Sequence, residues 1–261
     1  MSGRKPAPLP VPPVEMRRLV GPVEESAFDN PTGAPVFGPL SQGPRARVLD
    51  FGCGCGRLAR KLLQQRQPPA EYLGIDLHPG MVRWCDANLS RGRPRFEFRH
   101  LDIKNVSLNP AGTLQRAPFP AKDGHYTLVM AISVFTHILE PDIPFYLGEC
   151  ARVLKPGGTL VSTWFLFDRT EFPMLQSDQN CLYINPVDTT NAVVVDRTWL
   201  AHQARVAGLS ISLVVPPSIR GFHWEIHLSK DGAKHVPWPE DEAPLGHQPP
   251  PRNDGRAHLV R

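Results

Sequence analysis

The chain has 261 residues, 41% of them apolar and 21% charged, with a formal net charge of +4. This is an ordinary globular composition, too mildly basic to announce nucleic acid or a membrane surface, and no window reaches the apolar length of a membrane span. Five cysteines at irregular spacing do not make a disulfide framework, and the N-terminus lacks the apolar core of a secretory signal, so the expected compartment is the cytoplasm.

Proline is the compositional outlier: ten of the 30 fall in residues 1–44 and six in 237–251. Residues 1–13 are expected to be disordered, with polyproline stiffness. Residues 14–44 mix Met16, Leu19, Val20, Phe28, Val36, Phe37 and Leu40 with glycine and proline, which suits an irregular arm or lid. The pattern then changes, and residues 45–230 read as one domain. A buried strand is expected at 45–51 and a helix at 56–65, ending before Pro68-Pro69. Next come a strand at 71–76, a helix at 79–89 with proline in its first turn, and strands at 95–101 and 126–131. A helix at 143–154 stops at Lys155-Pro156-Gly157-Gly158, and a strand follows at 159–165. Residues 166–192 read as an irregular substrate-side insertion. Asp196 reads as the N-cap of a helix running to Ala207 and closed by Gly208. Strands at 209–215 and 222–229 are joined by a short link, so they should be antiparallel. Residues 231–261 are expected to form a flexible tail. Strands alternating with helices predict an α/β fold with a mostly parallel sheet and helices on both faces.

The chemistry concentrates in residues 48–60, VLDFGCGCGRLAR. Cys53 and Cys55 supply at most half a zinc site, and no other cysteine pair matches them. His223 and His227 share a strand face far along the chain and complete no ligand set, so no metal is expected. The thiols are better read as small apolar fillers. The alternative is a cradle. Glycines 52, 54 and 56 let the backbone turn sharply and a ligand approach closely, and the helix start adds free N–H donors. The spacing is G-x-G-x-G, whereas the dinucleotide fingerprint needs G-x-G-x-x-G, and position 57 is Arg. Asp50, directly before the loop, suits an ammonium group better than a pyrophosphate. The loop therefore points to a cofactor with an amino-acid end.

Four segments in order extend this reading: VLDFGCGCGRLAR, YLGIDLHPGMVRWC, FRHLDI, and YTLVMAISVFTHI followed by ARVLKPGGTLV. With them the chain resembles the class I S-adenosylmethionine-dependent methyltransferases. The resemblance covers residues 45–164 and, more weakly, 196–229. It implies a Rossmann-like, seven-stranded sheet with an antiparallel C-terminal hairpin, and S-adenosylmethionine as cofactor. It further implies that Gly52, Cys53, Gly54 and Gly56 pass under the methionine end, with Asp50 drawing the ammonium and Arg57 the carboxylate. Asp76 would accept both ribose hydroxyls. Leu77 and Met81 would wall the ribose and adenine, Asp102 would accept from the adenine amino group, and Ile103 would pack on the ring with its N–H toward a ring nitrogen. Ala131, Ile132 and Ser133 would lie beside the sulfonium. Thr127 stands where the family commonly has an acid.

For the acceptor side, His137 is the candidate general base, since it follows the fourth strand. Trp164, Phe165, Phe167, Phe172 and Tyr183 near the fifth strand suggest an apolar or aromatic small molecule, with an oxygen acceptor ahead of nitrogen. Nucleic acid is disfavoured: Arg91, Arg93, Arg95 and Arg99 cluster, but an alternating strand explains two of them as a solvated face, and no Asn/Asp-Pro-Pro-Tyr/Phe segment or Pro-Cys nucleophile follows the fourth strand. RNA or protein methylation and a non-catalytic cofactor-binding module are the alternatives. Oligomeric state is not readable.

Overall fold

In a computed structural model, residues 9–90, 95–219, 222–231 and 236–239 are described. The expected disorder in residues 1–8, Arg91 and Arg93 of the arginine cluster, and most of the tail lie outside them.

The arm at 14–44 holds one short helix, α1 (Val14–Leu19), and 3₁₀ turns at Glu25–Phe28 and Gly38–Ser41. It is fastened to α2 (Arg57–Leu63) and the residues after it. Arg60, 5% exposed, donates to the carbonyls of Phe28, Pro10 and Leu9 and pairs with Asp29. Leu9 and Pro10 are thus held, although disorder was expected as far as residue 13. Gln65 accepts from the Val36 N–H and the Ser41 hydroxyl, and donates to the Ser41 carbonyl.

The domain is a nine-stranded sheet. β1 (Arg47–Phe51) lies between β2 (Glu71–Asp76) and β4 (Tyr126–Ala131), and β3 (Arg95–His100) flanks β2, all parallel. α3 (Pro79–Leu89) packs on β3. α4 (Ile143–Val153) leads into β5 (Leu154–Phe167). The expected turn at 155–158 is a bulge inside this strand: Leu154 pairs with Tyr126, residues 155–158 loop out with the first three exposed and Gly158 buried, and pairing resumes at Thr159 with Leu128. Gly157 takes φ +71 in that bulge.

β5 then changes partners. Through Trp164 it pairs antiparallel with β9 (His223–Lys230), which pairs with β8 (Leu209–Ile219). From Phe165 it pairs parallel with β7 (Val193–Asp196), which carries β6 (Cys181–Tyr183) on its far edge. The seven expected strands are present, with the antiparallel hairpin. The two additional strands come from the insertion, which is therefore not wholly irregular. Asp196 accepts from the Trp199 N–H as the N-cap of α5 (Arg197–Val206), and Gly208 takes φ +78. The tail was expected to be flexible from Asp231, yet Val236 N–H donates to Ile211 O and Trp238 stands edge-on to Trp224. The core is two-sided: α4, α5 and residues 117–119 cover one face, and α2 and α3 the other.

Candidate active site

β1 ends in the glycine loop. Gly52, Gly54 and Gly56 have φ of +77, +53 and +81, the left-handed region where a Cβ is strained. A Cβ on Gly52 would stand 2.3 Å from Val134 Cγ2, and one on Gly54 2.7 Å from Val20 Cγ1. Both the turn and the approach of neighbours require glycine. The Gly52 and Cys53 N–H groups donate to Ile75 O, which draws the loop against the end of β2. Cys53, Cys55 and Cys85 are buried beneath it. Burial pushes the Cys55 thiol up to about 12 and that of Cys53 well above the ordinary range, so neither is a ready nucleophile.

Two acids stand behind this loop. Asp50 is 1% exposed and accepts from Tyr72 Oη at 2.6 Å. Burial raises its pKa to about 7; the Tyr72 bond opposes the rise, the nearby Asp76 adds to it, and Arg57 lowers it. Asp76 braces the loop: Oδ2 accepts from Gly54 N–H at 2.7 Å and Oδ1 from His78 N–H at 2.7 Å. Burial raises its pKa, against both backbone bonds. Each oxygen keeps a lone pair for a further donor. His78 in turn caps α3, its Nδ1 facing the Gly80 and Met81 N–H groups. Met81, 2% exposed, packs with Phe28, Cys55 and Val20, so the arm lies over this end.

The residues after β3 are engaged differently. Asp102 accepts from Thr113 Oγ1 at 2.6 Å and Asn109 Nδ2 at 3.3 Å, which lowers its pKa. The Ile103 N–H donates to Leu101 O at 2.8 Å. The Leu77 carbonyl lies 2.9 Å from His100 Nε2. Asp50, Asp76, the glycines and Met81 thus come together around one loop, whereas the polar groups of Asp102 and Ile103 are closed into a local turn.

Beyond β4, Ala131 is buried, Ile132 half-buried and Ser133 exposed. His137 lies in a 3₁₀ turn, and its Nδ1 is 2.8 Å from Thr190 O. A carbonyl only accepts, so a neutral ring carries its proton on Nδ1 and its lone pair on Nε2, the form a base requires. The insertion that orients His137 is itself fixed. Asn105 Nδ2 donates to Thr190 Oγ1, Ser107 Oγ to Asp188, and Asn180 to the Glu140 carboxylate. Trp164, Phe167 and Phe165 are 0%, 0% and 8% exposed, so they are chiefly core.

Tyr72, His78, Thr190 and Arg60 were not singled out from sequence. His78 alone had a local signal, since it directly precedes Pro79-Gly80 at a helix start.

Comparison with known proteins agrees with this geometry. Residues 48–158 match the family described as a methyltransferase domain. An arsenite methyltransferase from Aquipseudomonas alcaligenes is 29% identical over 51% of this chain and 36% of its own length. A demethylmenaquinone methyltransferase from Thermus thermophilus is 34% identical over 47% of this chain and 48% of its own. The chain thus spans less than half of either relative. An S-adenosylmethionine-dependent methyltransferase from Mesorhizobium loti shares the fold, with a TM-score of 0.50 and 14% identity over 81% of this chain and 100% of that one. Residues 48–158 are thus similar to a methyltransferase domain, in a fold shared with S-adenosylmethionine-dependent methyltransferases.

Proposed function

We propose that the protein transfers the methyl group of S-adenosylmethionine to a small-molecule acceptor, at oxygen in preference to nitrogen. The observation that carries the cofactor half is Asp50. A carboxylate this deeply buried, with Asp76 close by, is held partly protonated at neutral pH. A cation placed beside it would restore the charge and relieve the burial cost. The three glycines, all at left-handed φ and closely packed by neighbouring side chains, hold the loop in its tight turn beside these acids. The residues present therefore fit the methionine and ribose ends of the cofactor: Asp50 for the ammonium, Asp76 for the ribose hydroxyls, and Gly52 to Gly56 beneath the chain between them. When bound, the cofactor supplies an electrophilic methyl on a cationic sulfur.

The chain's own task is then positioning, which is able to contribute about 7–11 kcal/mol. A base adds about 10²- to 10⁴-fold. His137, with Nε2 as its basic nitrogen, is the residue proposed to take a proton from an acceptor hydroxyl. Its attachment to Thr190 ties that role to the insertion. Arg95 and Arg99 both pair with Glu97, which supports the solvated-face reading over a phosphate-binding strip.

Calorimetry with S-adenosylhomocysteine tests the cofactor half, and the absence of any uptake defeats it. For the acceptor half, turnover on phenols, amines and macromolecules is compared in wild type and His137→Ala. The expected result is activity on small molecules, reduced about 10²-fold in the variant, with product affinity changed less than about threefold. Activity confined to macromolecules overturns the small-molecule reading, and unchanged turnover removes His137 from the mechanism.

A further inference from the structure

At the carboxyl edge of the sheet, next to the cofactor cradle, a second group of side chains converges. Ser133 follows β4 by two residues and holds φ 58, a left-handed conformation unfavourable for any residue with a Cβ. Two contacts fix it there. Its N–H donates to Thr163 Oγ1 on β5 at 2.7 Å, and its Oγ stands 3.5 Å from His223 Nε2. His223 opens β9 beside the Trp164–Trp224 pair and is 4% exposed. Its ring forms a triangular cluster with those of Phe165 and Phe222, at 4.7 and 4.8 Å between centroids, and the two phenylalanines are themselves 5.4 Å apart. Ser133 itself is exposed. A buried imidazole flanked by two benzene rings thus meets the surface at a serine hydroxyl.

Glycine would occupy this backbone position without strain. Serine adds a Cβ, which brings the strain, and a hydroxyl, which is the one polar group the position gains for it. The rings beside it are flat and apolar, and the polar group presented at the surface is a hydroxyl. A neutral hydroxyl on a flat aromatic body matches this set better than a carboxylate or an ammonium.

We propose that Ser133, backed by His223 and Phe222, is the subsite that receives a phenolic hydroxyl of the acceptor. Ser133 Oγ contacts that hydroxyl, Phe222 faces the aromatic body, and His223 is a positioning residue that orients the serine. This rests on the methyl-transfer reading above.

The test uses the full chain loaded with S-adenosylhomocysteine, titrated with 2-naphthol and with naphthalene as its hydroxyl-free counterpart. Wild type is expected to prefer 2-naphthol about tenfold, the size of one net hydrogen bond. Ser133→Gly and His223→Phe should each bring the preference to near unity, and His223→Gln should retain most of it. Ser133→Gly should melt no lower than wild type, because glycine relieves the backbone. A purely structural role for the pair would leave the preference intact. Equal binding of the two probes by wild type, or a preference that survives both Ser133→Gly and His223→Phe, overturns the proposal. If His223→Phe does not fold, Ser133→Gly decides. Failure to bind S-adenosylhomocysteine defeats the underlying reading and the subsite with it. Uptake of S-adenosylhomocysteine without a 2-naphthol preference defeats the subsite alone.

Discussion

The two ends of the crevice use aspartate in opposite ways. At the β1–β2 end, Asp50 is buried with a tyrosine hydroxyl on one oxygen, and Asp76 keeps acceptor capacity beside its two backbone bonds. At the β3 end, Asp102 is engaged by Thr113 and Asn109, and the Ile103 N–H by Leu101. Burial raises both acids of the first pair, whereas in the second Thr113 and Asn109 donate to Asp102 and the Leu101 carbonyl accepts from Ile103. One end therefore holds its acids buried before a ligand arrives, and at the other the Ile103 N–H has to leave the Leu101 carbonyl to serve one. A strand followed by an acid does not by itself reveal which of these a site will be.

Substitutions at the two ends should separate accordingly. The largest effect is expected for Gly52→Ala. Left-handed strain and the close Val134 methyl together predict a loss of about 2–5 kcal/mol in stability, seen as a lowered melting temperature, with S-adenosylhomocysteine affinity down about 100-fold. Near-wild-type affinity would mean the loop is not a preset cradle. Asp76→Asn comes next. Losing charge-assisted bonds should weaken binding about 10- to 100-fold by calorimetry.

A pH effect sharpens the same contrast. The Asp50 pKa of about 7 lies above that of an unfolded carboxylate, about 4. Between these values the folded protein holds a proton that the unfolded chain has released. Unliganded stability should therefore fall as pH rises from about 4 to 7, by at most about 1.4 kcal/mol per unit for this group. Asp76, also raised by burial, acts with the same sign. A cation in the crevice favours the carboxylate, so ligand uptake near pH 6 should release protons. Calorimetry in buffers of different ionisation heat reads this directly. Release should be smaller at pH 8 and in Asp50→Asn, and its absence at pH 6 would contradict the assignment. The smallest effect is expected for Asp102→Asn, within about threefold in affinity. A drop as large as that of Asp76→Asn would show that the adenine end is as well prepared as the other.

Much of the frame was legible in the sequence, because apolar runs such as residues 126–131 stand out from the polar segments before them and several helices begin at proline or a capping residue. The Asp196 cap and Gly208 stop were read from side-chain and backbone chemistry alone. β6 was not legible, since three residues carry too little pattern. β7 has three valines in a row, but its pairing depends on where β5 leaves β9. Within the site, Asp50 and Asp76 were readable from their place beside the loop. The Tyr72 bond to Asp50 was not, because it depends on register between two strands. Nor was the burial of Arg60, whose partners lie 31 to 51 residues earlier. The state of Asp102 is decided by Thr113, eleven residues on, in a loop without periodicity.

The exchange of partners along β5 divides labour within a single strand. Its first part pairs with β4 beside the strand that carries the glycine loop, and its last three residues hold β7 and, through it, β6. A graft replacing residues 168–192 would enter and leave through elements that already hold their own register. Exchanging that segment would change the surroundings of His137, which Thr190 contacts, without touching the strands that carry the glycine loop.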